Sequence, residues 1–224
     1  MGTASMAAAI ACTLGVAALL GSIPWGVIIS KLFFGVDVRD HGSGNIGTTN
    51  ALRTLGKKGG AAVFALDFGK GAASSLVVMA AAALLGGAEA VPQWFHDVLV
   101  GTAFVGCIWG HVFSPWLGFK GGKGIAVAFG CMMAAFGPVS GLVNFSVFLV
   151  LTLATRYVSL GSVAAALVCP FVSFATFGPN VFANLLCLLG AGTVVWAHRA
   201  NIRRLLNGTE SKLSLGGRKG GEGA

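Results

Sequence analysis

Hydrophobic residues fall along this chain in long uninterrupted runs, without the alternation of a half-buried strand or the narrow stripe of a soluble surface helix. The runs cover residues 6–30, 71–88, 98–117, 124–155, 157–177 and 180–197, with short polar segments between them. A helix needs about 20 apolar residues to cross the hydrocarbon of a membrane, so most runs are one span each. The fourth is too long. At about 1.5 Å per residue it would reach about 48 Å, against roughly 30 Å of hydrocarbon. Gly137-Pro138 interrupts it, and a breaker pair at that place predicts two short helices joined by a tight turn. The pattern therefore predicts seven spans. Met1 to Met6 carries no basic residue, so the first run is expected to be a span and not a cleaved leader.

Composition agrees. The chain has 224 residues, of which 55% are hydrophobic and 10% charged, and its mean hydropathy is +0.84. A soluble domain carries about 25% charged residues, and no soluble fold of this size can hide so much apolar surface. Disorder is excluded by the same figures. Five cysteines, Cys12, Cys107, Cys131, Cys169 and Cys187, lie inside apolar runs with no C-x-x-C pair. They are expected to pack as small buried hydrophobes. The 35 glycines suit close helix packing in lipid.

Charge sets the expected orientation. With seven spans, all 15 Lys and Arg fall on one side with Asp37, Asp40, Asp67, Glu210 and Glu222. The other side holds Glu89, Asp97 and no base. Cytoplasmic loops are the basic ones, which places the N-terminus outside and the C-terminus in the cytosol. The expected fold is thus an all-α polytopic membrane protein, with one domain over 1–215 and a flexible glycine-rich tail over 216–224. The loops expected outside are 89–97, 137–139 and 178–180.

Three polar segments on the basic side carry candidate chemistry. The first, residues 36–60, contains G-S-G-N-I-G at 42–47. It matches G-x-G-x-x-G, but a lone match is weak and no strand precedes it, so the context of a dinucleotide site is lacking. Its glycines expose backbone amides, and Ser43, Asn45, Thr48, Thr49 and Asn50 add polar groups beside Arg53. A helix starting near Asn45 would point its N-terminus at an anion. The second is F-K-G-G-K-G at 119–124. It lacks the nucleotide P-loop pattern, yet Gly121-Gly122 before Lys123 can offer amides and an ammonium to a phosphate. The third is W-A-H-R-A-N-I-R-R-L-L-N-G-T-E at 196–210. Continued as a helix, it puts His198, Asn201 and Leu205 on one face, with Arg199 and Arg203 on the next. No paired ligand set accompanies His198, so no metal is expected. L-D-F-G-K-G at 66–71 reads as an interfacial helix or helix entrance in which Asp67 and Lys70 can pair. His111 reads as a hydrogen-bonded residue facing the bundle, and Ser159 in R-Y-V-S can add a hydroxyl to a shared site.

Together S-I-P-W-G (22–26), G-S-G-N-I-G-T-T-N-A-L-R (42–53), L-D-F-G-K-G (66–71), G-H-V-F-S-P-W-L-G-F-K-G-G-K-G (110–124), R-Y-V-S-L-G-S (156–162) and H-R-A-N-I-R-R-L-L-N-G-T-E (198–210) resemble the PlsY family. These are the bacterial acyl-phosphate:glycerol-3-phosphate acyltransferases. The resemblance covers nearly the whole chain in the family's order. Val127 departs from it, standing where a small hydroxyl residue is common. The resemblance implies a seven-helix enzyme of the bacterial inner membrane with its active site on the cytosolic face. Acyl phosphate would be the donor and sn-glycerol 3-phosphate the acceptor, with no cofactor, no acyl-CoA or acyl carrier protein, and no nucleic-acid partner. Ser43, Lys123, His198 and Asn201 are the expected catalytic residues. Asn45, Thr49, Asn50, Arg53, Gly121, Gly122, Ser159 and Arg204 are the expected substrate-binding ones. The alternative from another class is a phosphate or organophosphate transporter, which predicts polar or broken helices near mid-bilayer.

Overall fold

The computed structural model describes residues 2–87 and 90–213, and every regular element among them is helical. α1 (Thr3–Ser22) and α2 (Trp25–Phe34) meet at Pro24, which lacks the amide that a continuous helix would need there. α3 (Thr48–Leu84) is kinked at Gly56, whose φ of 76° lies outside the helical region. α4 (Gln93–Val112) leads to the turn around 113–124, after which α5 (Ile125–Cys131) runs into a π turn over Met132–Phe136. α6 (Pro138–Thr155), α7 (Val158–Phe177), α8 (Val181–Ala197) and α9 (Arg199–Leu206) complete the chain.

The break expected within 124–155 is present, with Gly137 at φ 97° and Pro138 in the first turn of α6. The span count is more varied than the sequence pattern. Five helical stretches are long and apolar enough to cross a membrane, and α8 with α9 is a sixth as a pair bent by 56°. Residues 125–136 are apolar but, at 1.5 Å per residue, cover only about 18 Å of a roughly 30 Å layer. Outward faces are apolar too: Leu153, Phe171, Phe174 and Phe182 are exposed, as they would be facing lipid. Trp94 is exposed near one end of the bundle and Trp116 and Trp196 near the other, matching an aromatic belt at each interface.

Glycine sets the tightest packing. A Cβ on Gly21 would overlap the Cys107 carbonyl of α4, and one on Gly110 would overlap the Ala18 carbonyl of α1. The same reciprocal closeness joins α3 and α5, where Gly71 meets the Val127 carbonyl and Gly130 the Phe68 carbonyl. Small residues that let backbones touch are the usual source of helix association in lipid, where burial of apolar area contributes little.

Several expectations are corrected. The helix after the glycine motif begins at Thr48, not near Asn45. L-D-F-G-K-G is no interfacial entrance: it lies well inside α3, and its Asp67 and Lys70 are buried. They do pair, at 2.8 Å, as buried charges must to offset their desolvation. The segment after Ala197 does not continue straight; α9 turns away at His198. Cys12 is exposed, while the other four cysteines are buried as expected. The tail 216–224 lies outside the described residues.

Candidate functional site

Four polar segments, distant in sequence, close around one cavity of about 630 Å³ at the end of the bundle where α2, α4, α6 and α8 finish. Two contacts tie this end together: Arg53 donates to the Ser211 carbonyl at 3.3 Å, and the Leu213 amide donates to the Arg156 carbonyl at 2.7 Å. Ten of the twelve expected site residues line the cavity: Ser43, Asn45, Thr49, Asn50, Arg53, Lys123, Ser159, His198, Asn201 and Arg204.

The glycine loop is knit by one side chain. Asn50 Nδ2 reaches the carbonyls of Val38 (2.9 Å), His41 (3.0 Å) and Asn45 (2.9 Å), and Asn50 Oδ1 accepts from the Ser43 amide at 2.9 Å. These bonds occupy both ends of its amide, so Asn50 shapes the wall and has little left for a ligand. The Ser43 hydroxyl, by contrast, has no protein partner among the described residues. Asn45 Oδ1 accepts from the Gly47 amide at 2.9 Å, just before α3. The N-terminus of α3 opens on the cavity at Thr48 and Thr49, where the helix ends its backbone in unpaired donors. Thr48 Oγ1 is buried without a protein partner among the described residues; the sequence counted it among the loop's donors, but not as a site residue.

The second segment departs from expectation in a way that matters. Gly121 and Gly122 do not offer their amides to the cavity. Gly121 N–H donates to the Val112 carbonyl and Gly122 N–H to the His111 carbonyl, each at 3.0 Å. They satisfy the end of α4, whose last carbonyls have no intrahelical partner. A Cβ on Gly121 would overlap the His111 carbonyl, and one on Gly122 its ring. The two glycines thus position Lys123 and do not line the cavity.

Lys123 ends in a polar chain. Its Nζ donates to Asn201 Oδ1, Asn201 Nδ2 donates to Glu210 Oε1 at 2.7 Å, and Ser159 Oγ donates to the same oxygen at 2.8 Å. Arg204 Nε closes the cluster on Glu210 Oε2 at 2.6 Å. Burial, helped by the charges of Arg204 and Arg53 and opposed by Glu210, lowers the Lys123 pKa to about 8. Burial would raise the Glu210 carboxyl, but the hydrogen bonds from Asn201, Ser159 and Arg204 outweigh it and hold it below its ordinary value. Glu210 was missed as a site residue in the sequence, where it counted only as an acid among bases. Its one signal was position, a single carboxylate within the otherwise basic stretch 199–212.

His198 is buried at the bend between α8 and α9. Its Nδ1 lies 2.8 Å from the Val194 carbonyl. A carbonyl can only accept, so Nδ1 carries the proton and Nε2 keeps the lone pair. Burial, and then the charge of Lys123, pushes its pKa down to about 4, so the ring is neutral at pH 7.

Among the described residues no group of three His, Cys, Asp or Glu could hold a metal. The cavity instead gathers cations, hydroxyls, a helix N-terminus and a neutral imidazole, which suits an anionic, oxygen-rich ligand.

Comparison with known proteins points the same way. Residues 10–208 match the model of a family described as glycerol-3-phosphate acyltransferase. A glycerol-3-phosphate acyltransferase of Thermosynechococcus vestitus is 42% identical over 197 residues, covering 87% of this chain and 90% of its own. One of Anaeromyxobacter dehalogenans is 43% identical over 198 residues, covering 87% and 92%. The crystal structure of PlsY, an integral membrane glycerol 3-phosphate acyltransferase, in its glycerol 3-phosphate form has a TM-score of 0.76. It is 36% identical and spans 92% of this chain and 96% of that one. Its lysophosphatidic acid form gives 0.74 at 37% identity, with the same coverage. With its cavity, fold and nearly full-length match, the chain belongs to the glycerol-3-phosphate acyltransferase (PlsY) family.

Proposed function

We propose that this protein transfers a fatty acyl group from acyl phosphate to sn-glycerol 3-phosphate, forming 1-acyl-sn-glycerol 3-phosphate and inorganic phosphate. The observation that carries the reading is the cavity itself, where Arg53, Lys123 and Arg204 gather at the membrane end of an apolar bundle. Both substrates are phosphates, and one carries a chain that belongs in lipid. The acceptor hydroxyl oxygen bonds to the acyl carbonyl carbon, the bond from that carbon to the phosphate oxygen breaks, and phosphate leaves with the electron pair. Phosphate is a good leaving group, so no covalent enzyme intermediate is needed, and positioning with charge neutralisation carries the rate. Arg53 and Lys123 hold the phosphates; Ser43, Asn45, Thr49 and Asn201 orient the acceptor. Ser159 and Arg204 act through Glu210, and Asn50, Gly121 and Gly122 through the backbone they hold. The test is turnover of the detergent-purified protein with palmitoyl phosphate and glycerol 3-phosphate, beside palmitoyl-CoA, with no sealed vesicle present. We expect the phosphate donor to be used and the CoA donor to be inert. Comparable rates with both would refute the donor assignment, and no turnover at all would return the transporter reading.

The hydroxyl proton goes to a phosphate oxygen, with His198 as the acceptor that aims the hydroxyl. A pKa near 4 makes His198 a poorer base at pH 7 than a phosphate monoester, whose second ionisation lies near 6. His198→Gln should keep saturated turnover within about tenfold, raise the Michaelis constant for glycerol 3-phosphate, and leave any acid limb near pH 6 in place. A 1000-fold fall in maximal rate with an unchanged Michaelis constant would make His198 the base.

The membrane reading completes the proposal: seven spans including the short 125–136 segment, N-terminus outside, and the site on the cytosolic face of the bacterial inner membrane. It treats 1–215 as one domain. The basic segments meet at one end, while Asn180 donates to the Trp94 carbonyl at the other, at 2.7 Å. Single cysteines at Gln93 and Pro179 should label from outside intact cells, and those at Lys58 and Thr209 should not. Outside labelling at Thr209 would show the count of seven spans to be wrong.

A further inference from the structure

The cavity reaches past the cationic loops to two buried side chains in the bundle, Asp67 on α3 and His111 near the end of α4. They form a cluster with Lys70. Lys70 Nζ donates to the Ile23 carbonyl at 2.8 Å, lies 2.9 Å from His111 Nδ1, and is ion-paired with Asp67 Oδ1 at 2.8 Å. An ammonium can only donate. His111 Nδ1 therefore accepts, and the ring's single proton must sit on Nε2. The tautomer is the reverse of that at His198, where a carbonyl takes the Nδ1 proton.

Nε2 has no protein acceptor among the described residues. It faces Gly122, where a side chain would overlap the ring, and His111 lines the cavity. We propose that His111 donates its Nε2–H to the carbonyl oxygen of the bound acyl donor and stabilises the oxyanion formed when the acceptor hydroxyl attacks. The assignment rests on the acyl-transfer reading above.

Two points favour the carbonyl over a phosphate. The cations Arg53 and Lys123 are already assigned to the phosphates, and the cavity lining also includes the apolar Ile125 and Ala126. The carbonyl joins the phosphate to the lipid chain, so it must lie where the polar cavity gives way to the bundle, which is the level of His111. An uncharged, pre-aimed donor in a site poor in water is the arrangement that stabilises a developing oxyanion. The proton stays on Nε2 throughout, because the hydroxyl proton leaves to a phosphate oxygen. Asp67 and Lys70 are positioning residues, acting only through the imidazole tautomer.

The test compares His111→Phe, which removes the donor, with His111→Gln, whose side-chain amide can place an N–H near the Nε2 position. Wild type is assayed first with palmitoyl phosphate and glycerol 3-phosphate; if it gives no turnover, the acyl-transfer reading fails and the His111 assignment with it. If wild type is active, His111→Phe should lower the maximal rate by roughly 10²–10³-fold, the usual effect of one oxyanion donor, with both Michaelis constants within about threefold. His111→Gln should recover at least tenfold of that loss. A fall in Phe that Gln does not recover, or a rise in Michaelis constant without a fall in rate, would overturn the proposal while leaving acyl transfer intact. The unmodified protein supplies an independent check that does not depend on how the variants fold. With ¹⁵N-labelled histidine, His111 should show the Nε2–H tautomer, and a palmitoyl phosphonate added as a non-reacting donor analogue should shift its Nε2 resonance. A protonated Nδ1, or an Nε2 resonance that does not move on saturation, would refute it.

Discussion

Replacing Lys123 with Ala should lower turnover by 100-fold or more while leaving the detergent-extracted yield near wild type. The side chain stands at the cavity with its Nζ on Asn201, and it packs no core, so its removal opens no apolar void. A 100-fold loss corresponds to about 2.7 kcal/mol of transition-state stabilisation, which is within reach of one ammonium lost from a phosphate in a partly desolvated site. The pH dependence has a definite sign. An amine is charged below its pKa, and burial lowers that of Lys123 to about 8. The free enzyme therefore loses this charge as pH rises through 8, and kcat/KM should fall on the alkaline side. At saturation the limb should move to higher pH, since a bound phosphate favours the ammonium. Lys123→Arg should remove the limb near 8, because a guanidinium stays charged. Normal turnover in Lys123→Ala, or an alkaline limb unchanged in Lys123→Arg, would leave Lys123 as one more cation on the basic face.

Glu210→Ala should act differently, reducing activity and stability together. This carboxylate receives hydrogen bonds from Asn201, Ser159 and Arg204 and joins the segment after α9 to the start of α7. A hydrogen bond to a charged group contributes about 1.5–3 kcal/mol. The half-exposed Arg204 regains much of its share from water, so the net cost is expected near 2 kcal/mol. For a chain of this size that lowers the thermal midpoint by about 4–8 °C. The turnover loss should exceed tenfold, because Asn201 is freed from the oxygen that orients it beside Lys123. Glu210→Gln retains an acceptor oxygen and should fall between. Wild-type thermal stability in Glu210→Ala, measured in detergent with no substrate, would show that the cluster does not hold α7 to the chain's end.

The contrast between these two residues bears on what could be read before the fold was known. Lys123 was legible because glycines flank it in a basic turn between two apolar runs, and few roles other than anion binding suit such a point charge. Glu210 counted only as one acid among the bases of its side. Its role depends on Ser159, 51 residues earlier, and no local pattern encodes a contact at that separation. Gly121 and Gly122 show the opposite failure. Amides next to glycine are able to bind phosphate, and the sequence offered them for it; in the fold the unfinished carbonyls of α4 take both. Asn50 likewise had the right chemistry and a prior engagement, with its amide closing the loop that precedes it.

By itself, the sequence determined the apolar helical character of the protein, the break at Gly137-Pro138, the clustering of basic segments at one end, and the residue types able to meet a phosphate. These follow from local physics: run length against bilayer thickness, the missing amide of proline, the cost of charge in lipid. The tertiary structure alone decided which donors remain unspent. Lys70 could have been a cytosolic cation, but folding carried it into the bundle beside Asp67 and set the proton of His111 on Nε2. His198 received the opposite tautomer from the Val194 carbonyl. A residue's type states which hydrogen bonds it can make; which one is left for a ligand depends on what packing places against every other donor and acceptor.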